Sequence, residues 1–211
     1  MTPDAAADAL SLVDWRRTIG ELYADVRAAP DAQAAWWRWR RTRARLFSEH
    51  PQSPVAPEDR ATYAGPHMYD YDPGWNVTGS VEPAEVRHFE IATSTDAVMA
   101  LRRFGVVRFQ AGGGPLRLEL YWLEGYGGGV FVPFADATSG GETYGAGRYL
   151  LDTVKGADLG HRDGRLRLDF NFAYQPSCAY DPRWTCPLAP PANRLSAPVR
   201  AGERFAPAPA A

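Results

Sequence analysis

The chain has 211 residues, a formal net charge of −2 and 45% hydrophobic residues. This length accommodates one sizeable core rather than two typical domains, and the composition is that of a globular protein rather than a disordered one. A charge near zero provides no general attraction to polyanions, so the chain is expected to bind neither nucleic acid nor membrane. Its first residues do not match a secretory signal and no run is near the roughly 18 apolar residues of a membrane span, so neither is expected. These features predict a soluble, cytoplasmic protein.

Two amphipathic helices are predicted at the N-terminal end. Between residues 9 and 28, apolar side chains recur every three or four positions, which is typical of one helix face. Asp31 is then placed to cap a second helix that runs to about Glu49. Pro51 ends this helix, because the residue before a proline avoids the α region. The N-terminal part is therefore expected to be a helical hairpin.

Basic and aromatic residues interleave between positions 36 and 45, a pattern also found in nucleic-acid-binding segments. On a helical wheel, however, Trp36 and Trp39 fall on the apolar stripe. The predicted solvent face consists of Arg38, Arg41 and Arg45. The segment is therefore interpreted as an ordinary amphipathic helix.

From residue 75 onward the pattern changes to short runs rich in β-branched and aromatic residues. In 116–120 and 166–170, apolar and polar side chains alternate, as in strands with one buried face. Glycine-rich breaks at 112–114 and 127–129 separate runs as turns. Closely spaced strands without intervening helices favour an antiparallel sheet. The predicted strands cover residues 75–81, 87–93, 105–111, 116–124, 129–135, 147–154 and 165–174.

The expected fold class is therefore α+β, with an N-terminal helical hairpin packed on a mainly antiparallel β-barrel or β-sandwich. A single domain is predicted over residues 1–205. Its helices lie at about 9–49 and its β portion at about 75–205. Residues 206–211, rich in alanine and proline, are predicted to be a disordered tail.

The densest polar cluster is a predicted loop at 136–149 between two strands. Its glycines free the backbone to direct N–H groups at an anion, and Arg148 is a candidate clamp for a carboxylate or phosphate. Asp136 and Glu142 are candidates for an acid/base pair. The alternative is a self-satisfied polar turn, in which Asp136 caps the turn and Arg148 pairs with Glu142. The sequence leaves both interpretations open.

A second polar cluster follows from position 169. Asp169 and Asn171 share one face of their predicted strand, with Phe170 and Phe172 on the other face. If the aromatic rings face the core, the acid and the amide face solvent or a cavity. If the sheet closes around a polar interior, they face a ligand instead.

Cys178 and Cys186 are the only cysteines, and their spacing is not that of a zinc site. The interpretations are two reduced structural thiols, a local disulfide or, third, a metal site. A catalytic cysteine is a further option, with Cys178 beside Tyr180 as the better candidate. Because no cofactor fingerprint, nucleophile elbow or metalloprotease motif is present, no cofactor and no bound metal are expected.

The second half of the chain carries a recognisable set of motifs. They are FVPFADATSGGETYGAGRYL at 131–150, LDFNFAYQPSCAYDPRWTCPLAPPANRL at 168–195 and VRAGE at 199–203, with looser likeness in SPVAPEDR at 53–60 and YDYDPGW at 69–75. Together they resemble the DUF1684 family of bacterial and archaeal proteins, a domain of unknown function of about this length. The chain departs from the family pattern at Gln175, where the family usually has Asn, and in the stretch from Gly65 to Tyr69.

The resemblance implies no activity, but it directs attention to motif positions that are mostly polar. A signature selected for packing alone would be richer in aliphatic residues, so the resemblance favours a site. The matching positions are Asp136, Ser139, Gly140, Glu142, Thr143, Tyr144, Gly147, Arg148, Tyr149, Asp169, Asn171, Tyr174, Cys178, Tyr180, Cys186 and Asn193.

The leading hypothesis is a small-molecule enzyme whose pocket forms where the 136–149 loop meets residues 169–193. Hydrolysis, isomerisation and elimination all fit, the ligand is an unidentified small molecule, and the oligomeric state is open. The catalytic candidates are Asp136, Glu142, Tyr144 and Asp169. The substrate-binding candidates are Ser139, Arg148, Tyr149, Asn171, Tyr174, Tyr180 and Asn193. The alternatives are a non-catalytic binding module for a small molecule or protein, and a metal or redox site at Cys178 and Cys186.

Overall fold

The computed structural model describes residues 3–94 and 98–206. Its first two elements are helix α1, Pro3–Ala28, and helix α2, Ala32–Glu49. Both were predicted, although α1 begins at Pro3 rather than at residue 9. The predicted cap is confirmed, because Asp31 Oδ1 accepts the backbone N–H groups of Gln33 at 2.9 Å and Ala34 at 3.1 Å. Most of the predicted disordered tail, residues 207–211, lies outside the described residues.

Most of the apolar stripe of each helix is buried, as the spacing predicts, although Leu12 of α1 is 36% exposed. The members exposed by 5% or less are Ile19, Leu22, Tyr23 and Val26 in α1, and Ala35, Trp36, Trp39, Leu46 and Phe47 in α2. The three arginines assigned to the solvent face of α2 are exposed, which confirms the amphipathic interpretation. One charged residue, Arg43, lies on the buried stripe instead.

Seven antiparallel strands follow and form one sheet, in the order β5-β4-β3-β2-β1-β7-β6. The sheet curls into a half-barrel, so the α+β class with an antiparallel sheet is confirmed. The strands are β1 Asn76–Ala92, β2 Val98–Ala111, β3 Gly114–Leu123, β4 Gly129–Phe134, β5 Arg148–Asp152, β6 His161–Arg162 and β7 Arg165–Asp169. The predicted glycine turns lie between β2 and β3 and between β3 and β4.

The first two strands are longer than predicted. β1 joins the predicted runs 75–81 and 87–93 into one strand, whose register against β2 shifts between Pro83 and Arg87. β2 begins at Val98 rather than at residue 105. The two strands support each other. Each contains a polar stretch, and the hydrogen bonds from the other strand keep that stretch extended.

The last predicted strand, 165–174, is too long. β7 ends at Asp169, and Phe170–Phe172 forms a turn of 3₁₀-helix. The cause is local, since Asp169 Oδ1 accepts the backbone N–H of Asn171 at 3.2 Å and so diverts the backbone from the sheet ladder. The chain then leaves the sheet and crosses toward the helices.

The core lies between the helical hairpin and one face of the sheet. Phe170 and Phe172 are fully buried there, so their rings do face the core. Phe170 contacts Phe134 edge-on with ring centroids 5.2 Å apart, and Phe172 contacts Trp39 of α2 at 5.4 Å. The segment that follows β7 therefore lies where helices and sheet meet, and it carries many of the predicted site residues.

Candidate functional site

Arg148, at the start of β5, is fully buried. Its Nη2 donates to Asp136 Oδ2 at 2.9 Å and to the Val199 carbonyl at 2.7 Å. Its Nη1 donates to the carbonyls of Ala201 at 2.5 Å and Glu203 at 3.0 Å. The buried Nε has no partner among the described residues. Arg148 thus ties the C-terminal segment to the sheet, and its guanidinium is not presented to a ligand in solvent as the anion-clamp hypothesis requires.

Asp136 is equally enclosed. Its Oδ1 accepts the backbone N–H groups of Thr138 at 2.7 Å and Val199 at 3.2 Å, so it caps the turn that follows β4. Ser139 Oγ in turn accepts the Asp136 N–H at 3.1 Å. The geometry of this loop is therefore that of the self-satisfied polar turn, with one correction to that interpretation: Arg148 pairs with Asp136 and not with Glu142.

Glu142 lies at the surface and makes a different ion pair. Both of its carboxylate oxygens accept from Arg200, with a shortest distance of 2.8 Å, and Oε2 also accepts the Tyr69 hydroxyl at 3.0 Å. The hydrogen bonds from Arg200 lower the pKa of this carboxyl. An ionised, paired carboxylate is a weak proton acceptor, which weakens the acid/base hypothesis for Glu142.

Asp169 and Asn171 are both completely buried, so the prediction that they face solvent or a ligand is wrong. Asn171 Oδ1 accepts the Asp72 N–H at 2.9 Å, and its Nδ2 donates to the Asp72 carbonyl at 2.8 Å and to Asp169 Oδ1 at 2.9 Å. The pair fastens the end of β7 to the segment before β1. Burial raises the pKa of Asp169, opposed by Asn171 and Arg167.

Asn193, like Asn171, is buried and holds two parts of the backbone together, in this case strands β3 and β4. Its side chain accepts the Glu119 N–H at 2.7 Å and donates to the carbonyls of Glu119 at 3.0 Å and Pro133 at 2.8 Å. These bonds replace ladder contacts where β3 and β4 diverge, because their direct pairing ends at Tyr121 and Phe131.

Three predicted ligand-binding tyrosines hold the same C-terminal region together. Tyr149 and Tyr174 exchange backbone hydrogen bonds of 2.8 Å and 3.0 Å. The Tyr149 hydroxyl donates to the Pro187 carbonyl at 2.5 Å, and the Tyr180 hydroxyl donates to Glu203 Oε2 at 2.9 Å. A cavity of about 60 Å³ lies beside Tyr149 and Tyr174, under the helices. The predicted junction therefore exists, but its cavity is small.

A buried ion pair between Arg43 of α2 and Glu203 was not predicted. Arg43 Nε donates to Glu203 Oε1 at 2.7 Å, and Nη2 contacts the same oxygen. Glu203 is fully buried, and its Oε2 accepts the Gln175 N–H at 2.8 Å as well as the Tyr180 hydroxyl. The sequence held a signal for it, since Arg43 lies four residues after Trp39 and four before Phe47 on the apolar stripe.

The two cysteines lie together, and both thiols are free. Cys186 is 2% exposed, and its Sγ accepts the backbone N–H of Cys178 at 3.4 Å. Cys178 is partly exposed, and its Sγ lies 3.7 Å from the Tyr144 hydroxyl. Ser94 Oγ fixes the buried member of the pair by accepting the Cys186 N–H at 3.0 Å.

The proximity of the two thiols separates their acidities. A hydrogen bond from Cys186 is the main cause that lowers the pKa of Cys178 to about 6, and burial opposes it. The same hydrogen bond and burial raise the pKa of Cys186. Burial and the adjacent sulfur raise the pKa of Tyr144 to about 12. At neutral pH the arrangement is a partly exposed Cys178 thiolate that faces two protonated donors.

Metal ligands are not grouped in the parts of the chain that the structure describes. Residues 3–94 and 98–206 contain no cluster of three or more His, Cys, Asp or Glu side chains placed to hold a metal ion. Within the same ranges, no helix is both long and apolar enough to cross a membrane.

The fold and its buried polar contacts define a class of α+β protein in which a helical hairpin and a C-terminal segment pack on a curled antiparallel sheet. A family model described as "Protein of unknown function (DUF1684)" matches residues 61–204. The chain belongs to this family, which confirms the resemblance carried by its motifs. Comparison with curated proteins gave no match.

A solved relative shares this fold. It is the solution NMR structure of an uncharacterized protein from Haloarcula marismortui, to which the chain is 34% identical with a TM-score of 0.61. The similarity covers 82% of this chain and 94% of that one. The likeness shows a shared fold, and that relative is itself an uncharacterized protein.

Proposed function

We propose that the protein acts in thiol–disulfide exchange, with Cys178 as the attacking thiol and Cys186 as the resolving thiol. The observation that carries this proposal is their placement: the Cys186 sulfur lies 3.4 Å from the Cys178 backbone nitrogen, and only Cys178 is partly exposed. Attack on a disulfide needs an accessible thiolate, and resolution needs a second thiol within reach. Among the functions that the sequence suggested, the geometry therefore gives most support to a redox site at the two cysteines.

The acid/base enzyme stays a prediction, with less support from the geometry. Two of its four catalytic candidates, Asp136 and Asp169, are buried in hydrogen bonds within the fold. Glu142 is held by Arg200. Tyr144 is the remaining candidate, and its hydroxyl faces Cys178. In the exchange reaction Tyr144 has the role of a donor that stabilises the Cys178 thiolate.

The exchange proceeds in two balanced steps with a low-molecular-weight disulfide as the oxidant. The Cys178 thiolate attacks one sulfur of that disulfide and forms a mixed disulfide, and the departing thiolate takes a proton from solvent. Cys186 then loses its proton to solvent, attacks the Cys178 sulfur and expels the second thiolate, which leaves a Cys178–Cys186 disulfide. Two electrons pass from the protein dithiol to the substrate.

The order of these steps follows from the pairing of the thiols. In the reduced protein, the Cys186 proton is held by the Cys178 thiolate, so Cys186 is a poor nucleophile. Once Cys178 is in a mixed disulfide its negative charge is gone, and the interaction that raised the pKa of Cys186 is removed. Cys186 is thereby activated only after Cys178 has reacted.

The test uses the full reduced chain, glutathione disulfide as the probe, and intact mass. Wild type is expected to lose two hydrogen atoms without a lasting adduct, because Cys186 resolves the mixed disulfide. Cys186→Ser is expected to retain one glutathione adduct on Cys178, and Cys178→Ser to stay unmodified. Equal reaction of Cys178→Ser and wild type, or a wild-type adduct that never resolves, would overturn the proposal.

The pH dependence of alkylation provides a separate prediction. The rate of Cys178 carboxamidomethylation, followed by peptide mass spectrometry, is expected to rise with pH and level off above an inflection near 6, because the thiolate is the nucleophile. Cys186→Ala removes the main hydrogen-bond donor, so the inflection is expected to move toward the ordinary thiol pKa of about 8.5.

Ser177→Ala, a change at the neighbouring position, is the matched control and is expected to leave the inflection in place. Tyr144→Phe is expected to raise it by less than Cys186→Ala, because the Tyr144 hydroxyl is a lesser cause of the lowered pKa. Identical inflections in wild type and Cys186→Ala would show that the two thiols do not interact.

A further inference from the structure

Three arginines stand in one row across the solvent-facing side of the sheet. The antiparallel register places Arg165 of β7 opposite Ser80 of β1, Ser80 opposite Arg108 of β2, and Arg108 opposite Arg117 of β3. Residues that are directly paired share a face, and all four are exposed. Adjacent strands are about 4.8 Å apart, so the row is about 14 Å long at the backbone. Arg108 and Arg117 are like charges in direct opposition, an unfavourable arrangement without an anion between them.

A groove of about 810 Å³ runs beside this row. This volume is typical of small-molecule sites, which measure roughly 300–1,000 Å³. The groove has no Asp or Glu in its lining, although acidic residues outnumber basic ones in the chain, 25 to 23. Its other polar side chains are the neutral hydrogen-bonding groups of Asn76, Thr78, Ser80 and Gln110.

The guanidinium groups of Arg165 and Arg117 are only weakly paired with negative charge. Arg165 donates to the hydroxyls of Thr78 at 2.9 Å and Ser80 at 3.4 Å, which are neutral acceptors. Arg117 is 3.5 Å from a Glu119 oxygen that already accepts from Arg103 at 2.7 Å. Both positive charges are therefore weakly compensated.

Arg108 is paired more closely, but on the other side of the row. Its Nε donates to Glu82 at 2.9 Å, and Glu82 does not line the groove. The carboxylates thus lie on one side of the row, and the groove with its neutral donors lies on the other. An anion in the groove would meet three guanidinium groups and no opposing charge.

We propose that this groove binds a phosphate-bearing small molecule. Guanidinium groups present paired N–H donors that match phosphate oxygens, and several of them together suit a multiply charged phosphate. A single-stranded nucleic acid fits less well, because the one aromatic ring in the lining, Phe109, is 5% exposed and offers no platform for base stacking. The site shares no residue with the thiol pair and is independent of the proposed exchange reaction.

The test is a titration of the full chain with inorganic pyrophosphate at low ionic strength, followed by amide chemical shifts and by calorimetry. Saturable shifts are expected for Ser80, Gln110 and Arg165. Arg165→Gln and Arg117→Gln are each expected to weaken binding about tenfold or more, as the loss of a charge-assisted hydrogen bond implies.

Arg87→Gln is the matched control. Arg87 lies on β1 and is 58% exposed in its side chain, like Arg108, but it is not in the row. Its replacement removes the same charge and is expected to leave pyrophosphate binding unchanged. Equal weakening in all three variants would show a nonspecific charge effect and overturn the proposal.

Two further ligands separate the chemical classes. Citrate binding as tightly as pyrophosphate would overturn the assignment to phosphate. A short single-stranded oligonucleotide that binds more tightly than pyrophosphate, through the same arginines, would replace the small-molecule site with a nucleic-acid surface. Weaker binding of both ligands supports the proposal.

Discussion

Replacing Arg148 with alanine is expected to lower the free energy of unfolding by about 3–5 kcal/mol, because it leaves a buried Asp136 charge without its partner. The loss also removes donors from the carbonyls of Val199, Ala201 and Glu203, which no solvent reaches in the folded chain. The free energy of unfolding of an ordinary protein is about 5–15 kcal/mol, so this change removes a large part of it. Much of the variant is therefore expected to be unfolded.

Equilibrium urea unfolding of wild type and Arg148→Ala measures this effect. Arg148→Lys is expected to recover little of the loss, because an ammonium group cannot span four acceptors at once. Arg41→Ala, at an exposed position of α2, is the control and is expected to change stability by less than about 0.5 kcal/mol. An Arg148→Ala protein as stable as wild type would show that Arg148 does not hold the C-terminal segment and would revive its role as a ligand clamp.

The ion pair between Arg43 and Glu203 is expected to be almost as important. Arg43→Met leaves the buried Glu203 carboxylate without its cation, and Glu203→Gln leaves the buried Arg43 without its anion. Each change is expected to cost about 3–5 kcal/mol, because an uncompensated buried charge remains. Arg43→Met also removes a guanidinium that lies 5.0 Å from the Trp39 ring centroid.

The double variant Arg43→Met/Glu203→Gln distinguishes charge pairing from simple packing. It has no unpaired charge, and the glutamine can still accept from Gln175 and Tyr180. Its cost is therefore expected to be clearly smaller than the sum of the two single changes, as urea unfolding of all four proteins would show. Additive costs would mean that the two side chains stabilise the fold independently, without an ion pair.

Both predictions concern residues that connect the helices and the sheet to the C-terminal segment between Val199 and Glu203. Arg148 binds the backbone at three positions between Val199 and Glu203, and Arg43 binds the side chain of Glu203 itself. The VRAGE motif is therefore part of the internal scaffold of the protein. Its polar character reflects buried hydrogen bonding, which a sequence pattern does not distinguish from a ligand site.

Local physical chemistry explains which elements were predictable. The two helices and the cap at Asp31 depend on spacing and capping within a few residues, and both are confirmed. The alternation in 116–120 likewise marks β3. The predicted strand 165–174 failed after Asp169, because a side-chain hydrogen bond to Asn171 stops the strand, and alternation alone does not reveal such a bond.

By itself, the sequence determined the α+β class, the helical hairpin, the glycine turns and the family. It also pointed to polar motif positions such as Arg148 and Asn171, but not to what they contact. Only the tertiary structure decided that Arg148 pairs with Asp136, that Arg43 pairs with Glu203 across 160 positions, and that the two thiols meet. The physical reason is that periodicity reports the face on which a side chain lies, whereas its partner depends on how distant segments come together.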